Sequence, residues 1–234
     1  MRRVLMALAL GLVLAGCGGG GSSDSTGTTV SSASKPTATD ASVTTEVTSS
    51  APSTTEGSGA PAYRLLSEDE LTAAILGLGD LPAGYSQDPP VADGDNKTFC
   101  DYKPPVTAKV QVGKDFTKGG GMSAEALSFG LRQFNSPEEA KAAFDAMNDA
   151  VASCTGETYN GSELTYSPMS APKVGDASLG VKISVDGTDL LQFFALVGPT
   201  IVNTGGGGLL NANADTVTGL LEAEVQSYQA AATR

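Results

Sequence analysis

Thirty-one of the 44 residues from Gly18 to Pro61 are Gly, Ser, Thr or Pro, and the only aliphatics among them are valine and alanine. A segment so poor in large apolar side chains cannot bury enough surface to offset the entropy of ordering, so the sequence predicts a disordered tether over 17–62. What folds must lie beyond it, in the 172 residues from Tyr63 to Arg234. That length suits one domain burying about 70% of its unfolded surface. As flexible coil the tether averages roughly 35–40 Å, and ~150 Å pulled straight. Its Ser and Thr hydroxyls could carry O-linked sugars or simply be solvated.

The chain before the tether reads as a leader. Arg2 and Arg3 precede an apolar run from Val4 to Leu14, which ends in Leu14-Ala15-Gly16-Cys17. Eleven apolar residues are too few to span a bilayer, which takes about 20. The closing four residues resemble a bacterial lipobox, cleaved before Cys17 so that its sulfur takes a diacylglycerol. Residues 1–16 are then the signal peptide, and two or three acyl chains, palmitate among them, hold the mature protein firmly at the membrane. An ordinary secretory leader with a chance cysteine is the alternative. The predicted location is the extracytoplasmic face of the cell membrane, lipid-anchored, in the cell envelope.

Charge and composition narrow the function. Fourteen basic and 26 acidic residues leave −12 on the whole chain, and loss of the leader removes two arginines and no acid. A chain this acidic repels nucleic acid, so no nucleic-acid partner is predicted. There is no histidine, which excludes Ser-His-Asp and Cys-His machinery, histidine metal sites and a histidine base.

Within 63–234, Ser67-Glu68-Asp69-Glu70 has the form of a capping box. Leu71, Ala74, Ile75 and Leu78 continue it as an apolar stripe, stopped by Gly77, Gly79 and Pro82. Residues 83–105, with four prolines and an Asp93-Gly94-Asp95 turn, read as loop. Alternation at Ala108, Val110 and Val112, and again at Leu127, Phe129 and Leu131 after Gly119-Gly120-Gly121, predicts a hairpin. Ser136 and Pro137 open a helix that buries Ala140, Ala143, Phe144, Met147 and Val151 and ends at Cys154. Four strands follow over 163–169, 178–185, 189–197 and 199–204, with Asp186-Gly187 as a two-residue turn. A last helix from Asn213 buries Val217, Leu220, Leu221, Val225 and Tyr228. The predicted class is α+β: a central, largely antiparallel sheet packed by about three helices.

Cys100 and Cys154 remain after Cys17. In an exported domain they are expected to form a disulfide, closing a loop of about 55 residues worth roughly 4 kcal/mol. Buried free thiols are the alternative. Three other motifs are set aside. Ser170-Ala171-Pro172-Lys173 matches the S-x-x-K of penicillin-binding enzymes but lacks the companion motifs, and Ser32 to Lys35 repeats the match inside the tether. Gly205-Gly206-Gly207-Gly208 lacks the Lys and Ser/Thr of a phosphate loop and reads as a flexible turn. Asp93 to Lys97 starts like a calcium loop, but Lys97 would repel the ion; a solvated turn is preferred, with a weak calcium site as the alternative.

The lipobox, the Ser/Thr-rich tether, Leu81-Pro82-Ala83-Gly84-Tyr85, Phe99-Cys100 and the helix ending at Ser153-Cys154 resemble exported actinobacterial lipoproteins. Over about 63–234 the chain resembles the extracellular sensor domain of PknH-type kinases. That resemblance implies a central antiparallel sheet, flanking helices and a cleft for an unidentified ligand. It differs in having one cysteine pair where the kinase sensor has two bridges, and no kinase domain. Only Cys100 and Cys154 carry over, in a structural role.

The function expected first is a non-catalytic ligand-binding or sensor-like module, whose partner is a small envelope ligand or a protein. A carrier of a lipid or other apolar molecule comes second, with Phe129, Phe134, Phe193, Phe194 and Leu196 as candidate cavity lining or plain core. A carrier predicts an open apolar cavity of several hundred Å³. A structural or protein-interaction role predicts an exposed apolar patch. An enzyme would need a carboxylate or lysine with a strongly shifted pKa in a cleft. No catalytic residue, cofactor or metal site is predicted, and the ligand-binding residues are unassigned.

Overall fold

A computed structural model describes residues 62–90, 98–208 and 213–233. The leader, Cys17, the tether, the Ser32–Lys35 match and the Asp93–Lys97 turn lie outside the described residues. Eleven elements follow in the order α1 (Glu68–Ala74), β1 (Tyr85–Gln87), β2 (Val110–Lys118), β3 (Glu125–Gln133), α2 (Pro137–Ser153), β4 (Gly156–Tyr159), β5 (Ser162–Met169), β6 (Ala177–Val185), β7 (Thr188–Val197), β8 (Thr200–Gly208) and α3 (Ala214–Ala232). The strands form one antiparallel sheet in the order β1-β2-β3-β8-β7-β6-β5-β4. Helix α2 carries the chain from β3 to the far edge, and five successive strands then return until β8 pairs with β3. Short turns make this possible: Asp186 and Gly187 both have positive φ, at 49° and 78°, as a two-residue hairpin requires.

Side chains alternate across a strand, so the central strands β7 and β8 feed two cores. One face holds Phe116, Phe129, Leu131, Phe193 and Val202 under α1 and α3. The other holds Phe194, Leu196, Ile201, Val181 and Ile183 under α2. Ser136 caps α2 by accepting the Glu139 N–H at 3.3 Å, with Pro137 in the first turn, and Ala140, Ala143, Phe144, Met147 and Val151 are all buried. Asn213 caps α3 by accepting the Thr216 N–H at 3.0 Å. The expected α+β class, the hairpin and both long helices agree with the structure.

Local expectations differ in five places. Leu78 is 48% exposed rather than part of the α1 stripe. The helix ends at Ala74 because neighbouring elements take over its last polar groups: Ala74 C=O accepts Ser227 Oγ (2.7 Å), Ile75 C=O accepts Lys114 Nζ (2.9 Å), and Leu76 N–H donates to Glu224 Oε2 (2.8 Å). The segment 83–105 is not all loop, since Tyr85–Gln87 adds a short strand to β2 and Phe99–Asp101 forms a 3-10 turn. Ala108 lies before β2 and packs against the α2-side core rather than with Val110 and Val112. An unexpected strand, β4, pairs with β5 at the edge. The largest correction concerns Gly205–Gly208, which continues β8 instead of forming a flexible turn. A Cβ on Gly206 would stand 2.6 Å from Val217 Cγ2, and one on Gly205 2.5 Å from Ser128 Oγ. Glycine here admits α3 on one face and the β3 side chain on the other.

Candidate functional site

The two ends of the α2 face differ. Helix α2 packs over β5, β7 and β8, whereas toward β1, β2 and β3 the face carries small and polar residues. Cross-strand register places Asp115 opposite Ser128, Ser128 opposite Gly205, and Gly205 opposite Gln192. Asp88 follows β1 and donates its N–H to the Asp115 carbonyl at 2.9 Å. The result is one row across five chain segments: Asp88, Asp115, Ser128, Gly205, Gln192. Strand alternation puts Asp115, Ser128 and Gln192 on this face, because their neighbours Phe116, Leu127, Leu191 and Phe193 belong to the opposite core.

The row lines a small cleft that also includes Ala126, Leu190 and Gly207, with about 20 Å³ of open space. That is room for about one water molecule or one ion. Its polar groups are poorly satisfied from within. Asp88 Oδ1 accepts the Thr117 hydroxyl at 2.8 Å, but buried Asp88 Oδ2 has no hydrogen-bond partner. Gln192 is only 7% exposed, and its carboxamide pairs with no described residue. Burial, followed by the negative charge of Asp88, pushes the Asp115 carboxyl up to about 6. Buried polar groups in folded proteins are nearly always paired, so the buried Asp88 Oδ2, left without a partner beside this cleft, marks a place that something else can complete.

The sequence signals led elsewhere. Cys100 and Cys154 are joined by a disulfide with Cα atoms 5.9 Å apart, tying the 3-10 turn to the end of α2. Glu157 lies beside them, accepting the Cys100 N–H at 3.1 Å, and these three residues form a cluster of metal-ligand type. With both sulfurs in a disulfide only one carboxylate is left to bind, so no metal centre follows. Ser170 to Lys173 lies in irregular chain after β5 rather than at a helix start, which removes the geometry of a serine–lysine pair. Phe129 and Phe193 point into one core while Phe134, Phe194 and Leu196 point into the other; the sheet separates them. Asp88, Asp115, Ser128 and Gln192 were missed because they are far apart in sequence. The one available signal was a polar residue interrupting an apolar strand, as Gln192 does between Leu191 and Phe193.

Another buried carboxyl lies on the opposite face. Glu224 of α3 is fully buried, and Oε1 has no partner while Oε2 accepts the Leu76 N–H. Burial pushes this carboxyl up to about 8, against the lowering effects of the Leu76 N–H and the Lys114 charge. Its surroundings are the end of α1, so its role is to close that helix onto α3.

The chain matches no protein-family profile and no curated protein sequence. Among solved structures, it is similar to the extracellular domain of PknH from Mycobacterium tuberculosis, at 12% identity and a TM-score of 0.57, over 71% of this chain and 98% of that one. A Mycobacterium smegmatis protein described as an Rv0999 ortholog matches more loosely, with a TM-score of 0.33 at 12% identity, over 50% of this chain and 64% of that one. No helix among the described residues is long and apolar enough to cross a membrane. The chain thus shares the fold of the PknH extracellular domain.

Proposed function

We propose that this protein is a lipoprotein of the cell envelope, anchored through acylated Cys17, whose exported domain is a sensor-like module that binds a small ligand without transforming it. The observation that carries the binding reading is the row Asp88, Asp115, Ser128, Gly205, Gln192, where polar side chains, one with a buried unpaired oxygen, converge on a cleft at the end of a sheet face that α2 does not cover. The anchoring reading rests on the Leu14-Ala15-Gly16-Cys17 run and the tether behind it; the likeness to an extracellular domain agrees with export. The raised Asp115 carboxyl is the feature named above for an enzyme. Here its cause is burial beside a second carboxylate, Asp88, and no described lysine, cysteine or histidine lines the cleft. A lipid carrier gains no support from Phe129, Phe134, Phe193, Phe194 and Leu196, which fill two separate cores.

Two measurements test the reading. Cys17→Ala should move the chain from the membrane fraction to the soluble exported fraction; unchanged fractionation refutes lipidation. Native mass spectrometry of the full exported chain, purified from an envelope without denaturant, should show an excess mass that denaturation removes. That mass should disappear in Ser128→Leu, whose side chain enters the cleft over Gly205. Retention of the mass by the filled variant places binding elsewhere and refutes the assignment.

A further inference from the structure

The cleft says more about its occupant than that it is small. Every polar side chain lining it is a carboxylate, a hydroxyl or a carboxamide, and no described Lys or Arg lines it. Two carboxylates thus share a partly buried space with no countercharge among the described residues lining it. The space is of single-ion size, about 20 Å³. Independently of the acids, Gln192 is more than nine-tenths buried, lines the cleft, and makes no hydrogen bond to a described residue. With no described partner, the carboxamide is left to be satisfied by whatever occupies the cleft. Ser128 Oγ and Gln192 Nε2 stand over Gly205, and a half-turn of the Gln192 carboxamide brings its oxygen to the same place.

We infer that Asp88, Asp115, Ser128 and Gln192 form a binding site for a hard divalent cation of the calcium class, bridging the two carboxylates and taking the hydroxyl and amide oxygens as neutral ligands. This deepens the binding reading above and rests on it. An all-oxygen donor set with mixed charged and neutral ligands suits Ca²⁺, while transition metals prefer nitrogen and sulfur. Histidine is absent from the chain, and the two described cysteines are tied in the disulfide. Two carboxylates, with water completing the shell, place the affinity in the weak range of extracellular calcium modules, a Kd of about 0.1–1 mM.

The test uses the full exported chain in detergent, stripped with EDTA and titrated calorimetrically with CaCl2 at fixed ionic strength, with ethylammonium chloride as the monovalent cation control. One saturable Ca²⁺ site is expected. Asp115→Asn should weaken it by more than about tenfold, since charge count sets affinity in such sites. Glu163→Gln, an exposed carboxylate on the distant β5, should leave it unchanged. Thermal melts give a second readout: Ca²⁺ should raise the wild-type midpoint but not that of Asp115→Asn, which in EDTA should melt no lower than wild type. If that variant fails to fold, Gln192→Met takes its place, keeping bulk while deleting the amide oxygen, with a severalfold weakening expected. Equal Ca²⁺ affinity in wild type and variants overturns the site, as does stabilisation by ethylammonium alone. Should Ca²⁺ fail while a mass blocked by Ser128→Leu persists, the cation assignment falls and the binding module stands; loss of both removes the two together.

Discussion

Glu224 gives the sharpest quantitative prediction. Its carboxyl is raised to about 8 in the folded chain, against about 4.3–4.5 in an unfolded one. Between those values the folded state holds about one more proton than the unfolded state, so stability falls as pH rises, by up to about 1.4 kcal/mol per unit. The stabilisation is fully present below about pH 4.5 and lost on passing pH 8. Integrated from pH 5 to pH 8, the loss is about 3–4 kcal/mol, or roughly 10 °C in Tm for a domain of this size. Glu224→Gln keeps an oxygen for the Leu76 N–H and removes the titration. Urea melts of the exported chain at pH 5, 6, 7 and 8 should therefore show a steep decline in wild type and a shallow one in the variant. Asp115, raised to about 6, adds a slope of the same sign that dies away by about pH 7, so the comparison from pH 7 to 8 isolates Glu224. Parallel declines in both proteins would refute the reasoning.

Three further outcomes follow from packing. Replacing Cys100 and Cys154 together by Ser should cost about 4 kcal/mol, from a closed loop of 54-residue separation, read as a lower urea midpoint; an unchanged midpoint would mean the bridge does not constrain the unfolded chain. Gln133 is 1% exposed and bonds both the N–H and C=O of Leu66 at 2.8 Å, so Gln133→Leu should cost about 2–4 kcal/mol and speed amide exchange at Leu66, whereas unchanged exchange there would deny it that role. Gly206→Val puts methyls where Val217 already stands and should destabilise by about 1–3 kcal/mol, detected by calorimetry; a neutral result would mean that α3 shifts freely on the sheet.

Much of the fold was legible because its cues are local. Ser67, Ser136 and Asn213 each act within one turn of the helix they start, and Asp186-Gly187 acts within its hairpin. The cleft was not legible, because Asp88, Asp115, Ser128, Gln192 and Gly205 come from five segments spread over 118 positions. Their meeting depends on β8 pairing with β3, a long-range contact that no local pattern encodes. The glycine run shows the same divide. Four glycines in series signal flexibility when only the chain is considered, yet Val217 on one side and Ser128 and Leu190 on the other leave space for nothing larger.

The sequence by itself thus determined the class of the fold, its helix starts and the spacing of its apolar faces, since those follow from backbone propensity, capping and periodicity along the chain. It also bounded the chemistry, because a chain without histidine cannot assemble a histidine-dependent site. Only the tertiary structure decided which sheet face α2 leaves open, which carboxyls are buried, and which polar groups meet without partners. Those properties arise from strand order and register, and a one-residue shift in register would send every one of these side chains to the opposite face.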